Sequence, residues 1–254
     1  GPFGAEGPII ATGGALGSTL GQLIKITPNE RKILLAAGAT AGMSAIFGSP
    51  LAAILLAIEL LLFEFSARSF IPVALACITG AAGHHLLFEE GVVFPLNFLL
   101  QPSSNYALLF YATMGIVIGL ISVIVTKVVY WIEDVFEKLP IHWAWWPAIG
   151  GIAVGVVGFF APRTLGVGYS NITDLLTGTM PMQVVLSLCV LKFLSWAISL
   201  GSGTSGGTLA PLLTIGGATG ALIGSIGMFW FPNSGINIPL SVLVGMSAMF
   251  AGAS

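Results

Sequence analysis

Long apolar stretches separated by short polar turns make up most of the chain. The hydrocarbon core of a bilayer is about 30 Å thick and requires about 20 apolar residues per helix. Five stretches approach or reach that length, so the pattern predicts five transmembrane helices. They are Ser69 to Phe88, Tyr106 to Ile132, Trp145 to Ala161, Val184 to Leu200 and Leu209 to Trp230.

Two further apolar stretches are too short or too interrupted to cross a bilayer alone. Leu34 to Gly48 contains three glycines, and a Ser-Pro pair separates it from Leu51 to Phe63. Helices that end inside the membrane must bury their unpaired backbone groups in protein or in a water-filled cavity. These stretches therefore predict re-entrant or discontinuous helices that line a cavity.

The composition supports a membrane protein. Of the 254 residues, 56% are hydrophobic and 7% are charged, with a mean hydropathy of +1.00. An ordinary soluble domain has roughly 25% charged residues. The net charge of −2 leaves no basic patch for nucleic acid, which excludes that partner. Cys77 and Cys189 lie in apolar stretches, where a thiol behaves as a small hydrophobe. We therefore expect no metal site and no cofactor.

The chain contains an internal repeat. Residues 6–21 align without a gap over residues 209–224. The matched positions pair Pro8 with Pro211, Gly13 and Gly14 with Gly216 and Gly217, Ala15 with Ala218, and Gly17 and Gly21 with Gly220 and Gly224. After four extra residues in the second copy, Gly38 and Ala41 fall on Gly245 and Ala248. Repeats with Gly- and Pro-interrupted helices indicate a transporter with its substrate site near the middle of the membrane.

The repeat suggests how the chain is organised. We expect a single transmembrane domain over residues 1–254, with a first repeat portion at 1–100 and a second at 105–254. The sequence opens inside a loop motif, and it stops just before the counterpart of Pro50. These two features predict a fragment that is truncated at both ends.

The two aligned prolines mark helix starts. Proline is favoured in the first turn because its missing N–H would have no partner there. A helix start presents free N–H groups and about half a positive charge, which together attract anions. Before Pro211 the run from Gly201 is rich in glycine, so its backbone can approach a ligand closely. The amides of Thr208 and Leu209 are the expected donors in this second copy.

Glu6 lies just ahead of Pro8 in a chain with few charges. Its carboxylate can occupy an anion site at the helix start or move away to admit a mobile anion. The alternative is a glutamate that only stabilises the first turn of its own helix. An ionisable residue in so apolar a segment favours the functional interpretation, in which protonation couples permeation to pH.

Three segments carry a resemblance to a known family. They are GAEGP at Gly4 to Pro8, AGMSAIFGSPLAAILLAIEL at Ala41 to Leu60, and GGTLAP at Gly206 to Pro211. In this order they resemble the CLC family of chloride channels and chloride–proton antiporters, over nearly the whole chain. Two positions depart from the family pattern: Ala5 replaces a basic residue, and Leu209 replaces a phenylalanine but keeps its amide.

The resemblance implies an all-α membrane protein, a CLC-type bundle of tilted, partly re-entrant helices with inverted repeats. It implies a homodimer with one anion pathway per subunit, located in the plasma membrane, that transports chloride. Glu6 would be the gating residue. The anion-binding positions would be Gly4, Gly7, Gly207, Thr208 and Leu209. The family's pathway serine would precede this chain and its pathway tyrosine would follow it.

Leu60 is the departure with the clearest functional meaning. By the resemblance, Glu59 matches a structural glutamate, and Leu60 occupies the position where antiporters carry a proton-accepting glutamate. A leucine cannot relay protons, which favours a chloride channel. The alternative is a chloride–proton antiporter with a different proton route. Glu64, further along the chain, is either a substitute acid or a solvated helix end.

Several other residues allow competing interpretations. Lys192 lies inside an apolar stretch and either snorkels to an interface or pairs with an acid. His84 and His85 precede Glu89 and Glu90, but adjacent helical residues point in different directions, which argues against a shared metal ion. An embedded enzyme would need convergent catalytic groups, which the apolar stretches lack. A purely structural scaffold would not require paired helix starts.

Overall fold

The computed structural model describes residues 1–87, 94 and 104–253. Within these residues the regular structure is helical, apart from one isolated backbone bridge. The α-helices are α1 (Glu6–Leu23), α2 (Pro28–Phe47), α3 (Pro50–Leu56), α4 (Ala67–Leu87), α5 (Asn105–Glu137), α6 (Trp146–Phe160), α7 (Tyr169–Thr177), α8 (Met182–Gly201), α9 (Leu209–Trp230) and α10 (Ile238–Ala253). A π-helical segment, Ala57–Leu62, continues α3, and short 3₁₀ turns precede α6 and α7.

The five predicted transmembrane helices are confirmed. The helices that are long and apolar enough to cross a bilayer are α4, α5, α8 and α9, together with Trp143–Phe160, which joins a 3₁₀ turn to α6. The bounds of α9 are the predicted ones. The exposed rings of Trp143 and Trp145 lie at the start of their span, as in an interfacial aromatic belt.

Helix α2 starts earlier than the apolar pattern predicted, at Pro28 instead of Leu34. A capping box fixes this start: Glu30 N–H donates to Thr27 Oγ1, and the Thr27 N–H donates to Glu30 Oε2 at 2.9 Å. Thr27 Oγ1 also donates to Glu30 Oε2 at 2.6 Å, and this hydrogen bond, together with the one from the Thr27 N–H, lowers the pKa of the Glu30 carboxyl. The Thr-x-x-Glu spacing of a capping box was visible in the sequence, but the prediction used the apolar pattern alone and missed the helix start at Pro28.

The described chain forms two compact units. Residues 5–95 carry α1 to α4, in which α2 packs against both α1 and α4. Residues 1–4 and 96–254 form the other unit, in which α10 packs against α5 and α9, and α8 packs against α6 and α9. Its hydrophobic core includes Ile118, Trp196 and Met249, all buried.

The aligned glycines make the same contact in both units. A Cβ atom on Gly13 would overlap the Gly38 carbonyl across α1 and α2. A Cβ atom on Gly216 would overlap the Gly245 carbonyl across α9 and α10. Gly17 meets the backbone of Leu34, and its aligned partner Gly220 meets the backbone of Ser241. In each unit two helices pack with backbone against backbone, as small residues permit in membranes.

Candidate functional site

The start of α9 exposes backbone donors. Thr208 is the N-cap residue, Leu209 is the first helical residue, and the buried Pro211 is the third. In the described part of the chain the Thr208 side chain makes no capping hydrogen bond to this helix. Because the first N–H groups of a helix have no intrahelical acceptor, the Leu209 and Ala210 amides form a positive helix end that the Thr208 side chain leaves uncapped.

The start of α1 has the same register. Ala5 is its N-cap residue, Glu6 is its first residue, and Pro8 is its third. We predicted that the prolines mark the helix starts, and each lies two residues inside its helix. Proline is tolerated there because the third amide also lacks an intrahelical acceptor.

A backbone bridge joins the loops that precede these two helices. The Gly4 N–H donates to the Gly207 carbonyl at 2.9 Å, and the Gly207 N–H donates to the Gly4 carbonyl at 3.3 Å. Gly4 and Gly207 are both buried, and a Cβ atom on Gly206 would overlap the ring of Phe3. Because Gly4 and Gly207 use their N–H groups on each other, the amides of Gly7, Thr208 and Leu209 are the remaining predicted donors.

Glu6 is buried, with 1% of its surface exposed. It lies on the same face of α1 as three other buried residues, Gly14, Gly17 and Gly21. A carboxylate in the first turn is stabilised by the positive end of the helix. The structure thus places an acidic side chain at the start of α1, at the position that aligns with the first residue of α9.

A cavity of about 340 Å³ lies beside Thr208 within the second unit. It is lined by residues of α5, α8, α9 and α10, among them Trp196, Tyr130 and the exposed Glu133. Glu133 lies in the last turns of α5. The sequence carried no signal that Glu133 and Thr208 share a cavity, because 75 positions separate them along the chain.

Leu60 lies in the π-helical segment and is 38% exposed. Glu59, beside it, is also exposed. Glu64 follows the segment and accepts a hydrogen bond from Ser69 Oγ at 2.6 Å, in the first turn of α4. Ser66 Oγ also accepts from the Ser69 N–H. Glu64 therefore supports the start of α4, and both interpretations of Glu64 from the sequence stay predictions.

Both interpretations of Lys192 were wrong. Its side chain is fully buried, and its Nζ donates to the carbonyl oxygens of Thr164 and Gly166, each at 2.9 Å. It therefore does not snorkel to an interface, and among the residues that the structure describes it pairs with no acid. The ammonium group holds the bend that precedes α7, where Gly168 adopts a positive φ of 88°. A buried cation can satisfy its donors with carbonyl oxygens, and sequence alone could not identify those carbonyls.

The grouping of His84 and His85 with Glu89 and Glu90 cannot be followed in full, because both glutamates lie outside the described residues. Among the residues that are described, no group of three potential ligands could hold a metal ion. The rings of His84 and His85 meet edge to face near the end of α4, with centroids 5.6 Å apart.

A family model described as "voltage gated chloride channel" matches residues 1–254. The chain belongs to the CLC family. The resemblance carried by the three sequence segments is thereby confirmed, and this CLC chain is an integral, multi-pass membrane protein.

Curated relatives extend the comparison. The chain is 30% identical over 260 residues to proteins named H(+)/Cl(−) exchange transporter ClcA from Yersinia pestis bv. Antiqua (strain Angola) and Yersinia pseudotuberculosis serotype O:3 (strain YPIII). Each alignment covers 99% of this chain and 54% of the relative. The chain thus spans about half the length of these relatives.

Solved structures share the fold. A slow cyanobacterial Cl−/H+ antiporter superposes with a TM-score of 0.86 at 22% identity, over 98% of this chain and 59% of that one. A CLC-type fluoride/proton antiporter superposes with a TM-score of 0.83 at 23% identity, over 100% of this chain and 62% of that one. The predicted all-helical CLC-type fold is therefore confirmed.

Proposed function

We propose that this CLC chain forms part of a chloride pathway, in which Glu6 is the gate and the start of α9 helps to bind the anion. The observation that carries the proposal is the matched register of the two helix starts. One begins with a buried glutamate, and the other begins at Thr208, whose side chain does not cap its helix.

Partial charges suit a permeating ion. A helix start offers about half a positive charge, and conduction requires binding that is weak enough to release the ion. A buried lysine at the same place would hold the anion too tightly. In this proposal the amides of Thr208 and Leu209 contact chloride, and a contact from the Gly7 amide stays a prediction of the family resemblance. Gly4 and Gly207 hold the two loops together through their shared hydrogen bonds.

Glu6 competes with the anion for the positive end of a helix. When its carboxylate is ionised it can occupy the anion position, and when it is protonated it loses that electrostatic advantage. Chloride flux should therefore rise as Glu6 becomes protonated. The role needs no bond making or breaking beyond this proton transfer, so we propose a transport protein rather than an enzyme.

We propose that transport is channel-like, because Leu60 cannot accept a proton at the position where antiporters of the family carry a glutamate. A chloride–proton antiporter with another proton route is the second candidate. Two observations favour it: the curated relatives are named as exchangers, and Glu133 lines the same cavity as Thr208. We further propose that chloride is carried by a homodimer, following the family resemblance.

The test uses the full-length parent protein reconstituted in lipid vesicles. A chloride gradient is imposed across the membrane, and chloride and proton movements are recorded together. We expect chloride to flow without coupled proton movement. Protons driven uphill by the chloride gradient would reject the channel and favour the antiporter, and Glu133→Gln would then show whether Glu133 lies on the proton route. Absence of chloride flux would reject the proposal as a whole.

A further inference from the structure

The cations of residues 5–95 collect at one end of their unit. Lysine and arginine occur there at Lys25, Arg31, Lys32 and Arg68. Lys25 follows the end of α1, Arg31 and Lys32 lie in the first turns of α2, and Arg68 lies in the first turn of α4. This end therefore carries half of the eight lysine and arginine residues of the chain.

Two of these cations line one cavity. The cavity has a volume of about 810 Å³ and lies between the start of α2, the end of the π-helical segment and the start of α4. Lys32 and Arg68 both line it, while Lys25 does not. Arg31 also lies outside this cavity and donates instead to Ser18 Oγ at 3.0 and 2.8 Å. Lys32 and Arg68 are thus the cations that face a ligand in the cavity, and Lys32 Nζ uses one of its three donors on the Leu62 carbonyl at 3.5 Å.

The acids in the cavity wall are engaged in local hydrogen bonds. Glu30 Oε2 accepts from Thr27 Oγ1 at 2.6 Å, and Glu64 Oε1 accepts from Ser69 Oγ at the same distance. Each carboxylate therefore serves a helix start. The formal charges of the two cations and the two carboxylates in the lining cancel. Because each carboxylate is hydrogen-bonded at its own helix start, Lys32 and Arg68 are the charged groups of the lining that remain to attract an anion.

Exposed phenylalanines neighbour the lining residues along the chain. Phe63 and Phe65 flank Glu64 and are each 78% exposed, and Phe70 in the first turn of α4 is 37% exposed. Aromatic rings at a polar boundary are typical of the membrane interface. Lysine and arginine are enriched in cytoplasmic loops, and that leaflet carries the anionic lipids.

We propose that this cavity binds the phosphate group of an anionic phospholipid. Lys32 and Arg68 contact the phosphate, and the exposed phenylalanines contact the acyl chains. Basic pockets between transmembrane helices bind phosphate headgroups in this manner. A free phosphate ion shares the same chemistry, but it would make no use of the exposed phenylalanines beside the cavity, so we assign the site to a lipid. The proposal is independent of the anion pathway and concerns a separate site.

The test is native mass spectrometry of the detergent-solubilised full-length parent protein with phosphatidylglycerol. We expect the wild type to retain phosphatidylglycerol in preference to phosphatidylcholine. The double variant Lys32→Gln/Arg68→Gln should lower the affinity for phosphatidylglycerol by at least about tenfold, since each interfacial cation contributes to the attraction. The matched control is Lys25→Gln, which removes a neighbouring charge outside the cavity and should leave the affinity unchanged.

Additional variants and a competition experiment decide between lipid binding and its alternatives. Lys32→Arg/Arg68→Lys keeps both charges and should bind as the wild type does, so its loss of binding in folded protein would overturn the proposal. An equal loss of phosphatidylglycerol affinity in Lys25→Gln would show that general surface charge causes the effect. That result would also overturn the proposal. Displacement of the lipid by millimolar inorganic phosphate would identify a soluble occupant instead. Binding is read without transport, so a failure of the chloride proposal would not affect this result.

Discussion

Glu6 combines two properties that rarely occur together, a titratable side chain and nearly complete burial, in the first turn of α1. We predict that Glu6→Gln, which keeps the size of the side chain and removes its charge, abolishes the pH dependence of chloride flux. The flux at neutral pH should rise toward the value that the wild type reaches at acidic pH. The measurement is chloride efflux from vesicles at a series of external pH values.

The matched control is Glu59→Gln, which neutralises an exposed acid of the same unit. It should keep the pH dependence of the wild type. If Glu6→Gln also keeps it, Glu6 is a structural first-turn residue and the gate assignment fails.

The buried side chain of Lys192 contributes to the stability of the fold. We predict that Lys192→Met destabilises the protein, because the Thr164 and Gly166 carbonyls lose their donor. A buried polar group without a partner costs about 1–3 kcal/mol. The change in unfolding temperature is measured by heating the protein in detergent and recording how much of it still elutes as a monodisperse peak.

Lys127→Met is the control for Lys192→Met, since Lys127 is an exposed lysine on α5. Its unfolding temperature should stay close to that of the wild type. Equal unfolding temperatures for both variants would show that the two hydrogen bonds of Lys192 contribute little to stability.

At the scale of elements, the glycine contacts fix how closely paired helices approach. We predict that Gly220→Ala destabilises the packing of α9 against α10, because its Cβ would overlap the Ser241 carbonyl and lie 3.1 Å from Gly245 Cα. Overpacking of this kind costs about 1–3 kcal/mol. The measurement is thermal stability in detergent.

Gly155→Ala provides the comparison for Gly220→Ala. Gly155 lies in the middle of α6, and no described atom lies within 4 Å of the position its Cβ would take. Alanine is the better helix former, so this variant should be at least as stable as the wild type. A larger loss in Gly155→Ala than in Gly220→Ala would contradict the packing argument.

Sequence patterns predicted the elements whose signals are local. The bounds of α9 follow from an uninterrupted apolar run, and the aligned glycines of the repeat do meet at equivalent helix contacts. The start of α2 was misplaced because hydropathy does not register a capping box. The site was predictable in part: both helix starts were found from glycine and proline, whereas the acceptors of Lys192 and the cavity beside Thr208 depend on tertiary contacts between distant segments.

At the scale of the whole molecule, the Gly4–Gly207 bridge joins the first residues of the chain to the loop before α9, within one unit. In antiparallel pairs with this hydrogen-bond pattern the Cα atoms lie about 5.5 Å apart, which is within the range of a disulfide. We predict that Gly4→Cys/Gly207→Cys forms a disulfide under mild oxidation, in a background where Cys77 and Cys189 are replaced by alanine. Proteolysis between the two positions, followed by non-reducing electrophoresis, detects the link.

The control pair is Gly4→Cys/Gly203→Cys. Gly203 is exposed, lies four positions earlier in the same loop and does not share the bridge. It should give little cross-linked product. Equal yields from the two pairs would indicate a loop that samples many positions rather than one fixed by the bridge.

The bridge also sets an order for biosynthesis. Gly207 follows Gly4 by 203 positions, and a ribosome that adds about 5–20 residues per second needs about 10–40 s to translate that interval. Throughout that time the insertion machinery handles α1 to α4 while Gly4 still lacks its hydrogen-bonding partner. Completion of the first motif is therefore a late event in synthesis, and it depends on translation of the loop that precedes α9.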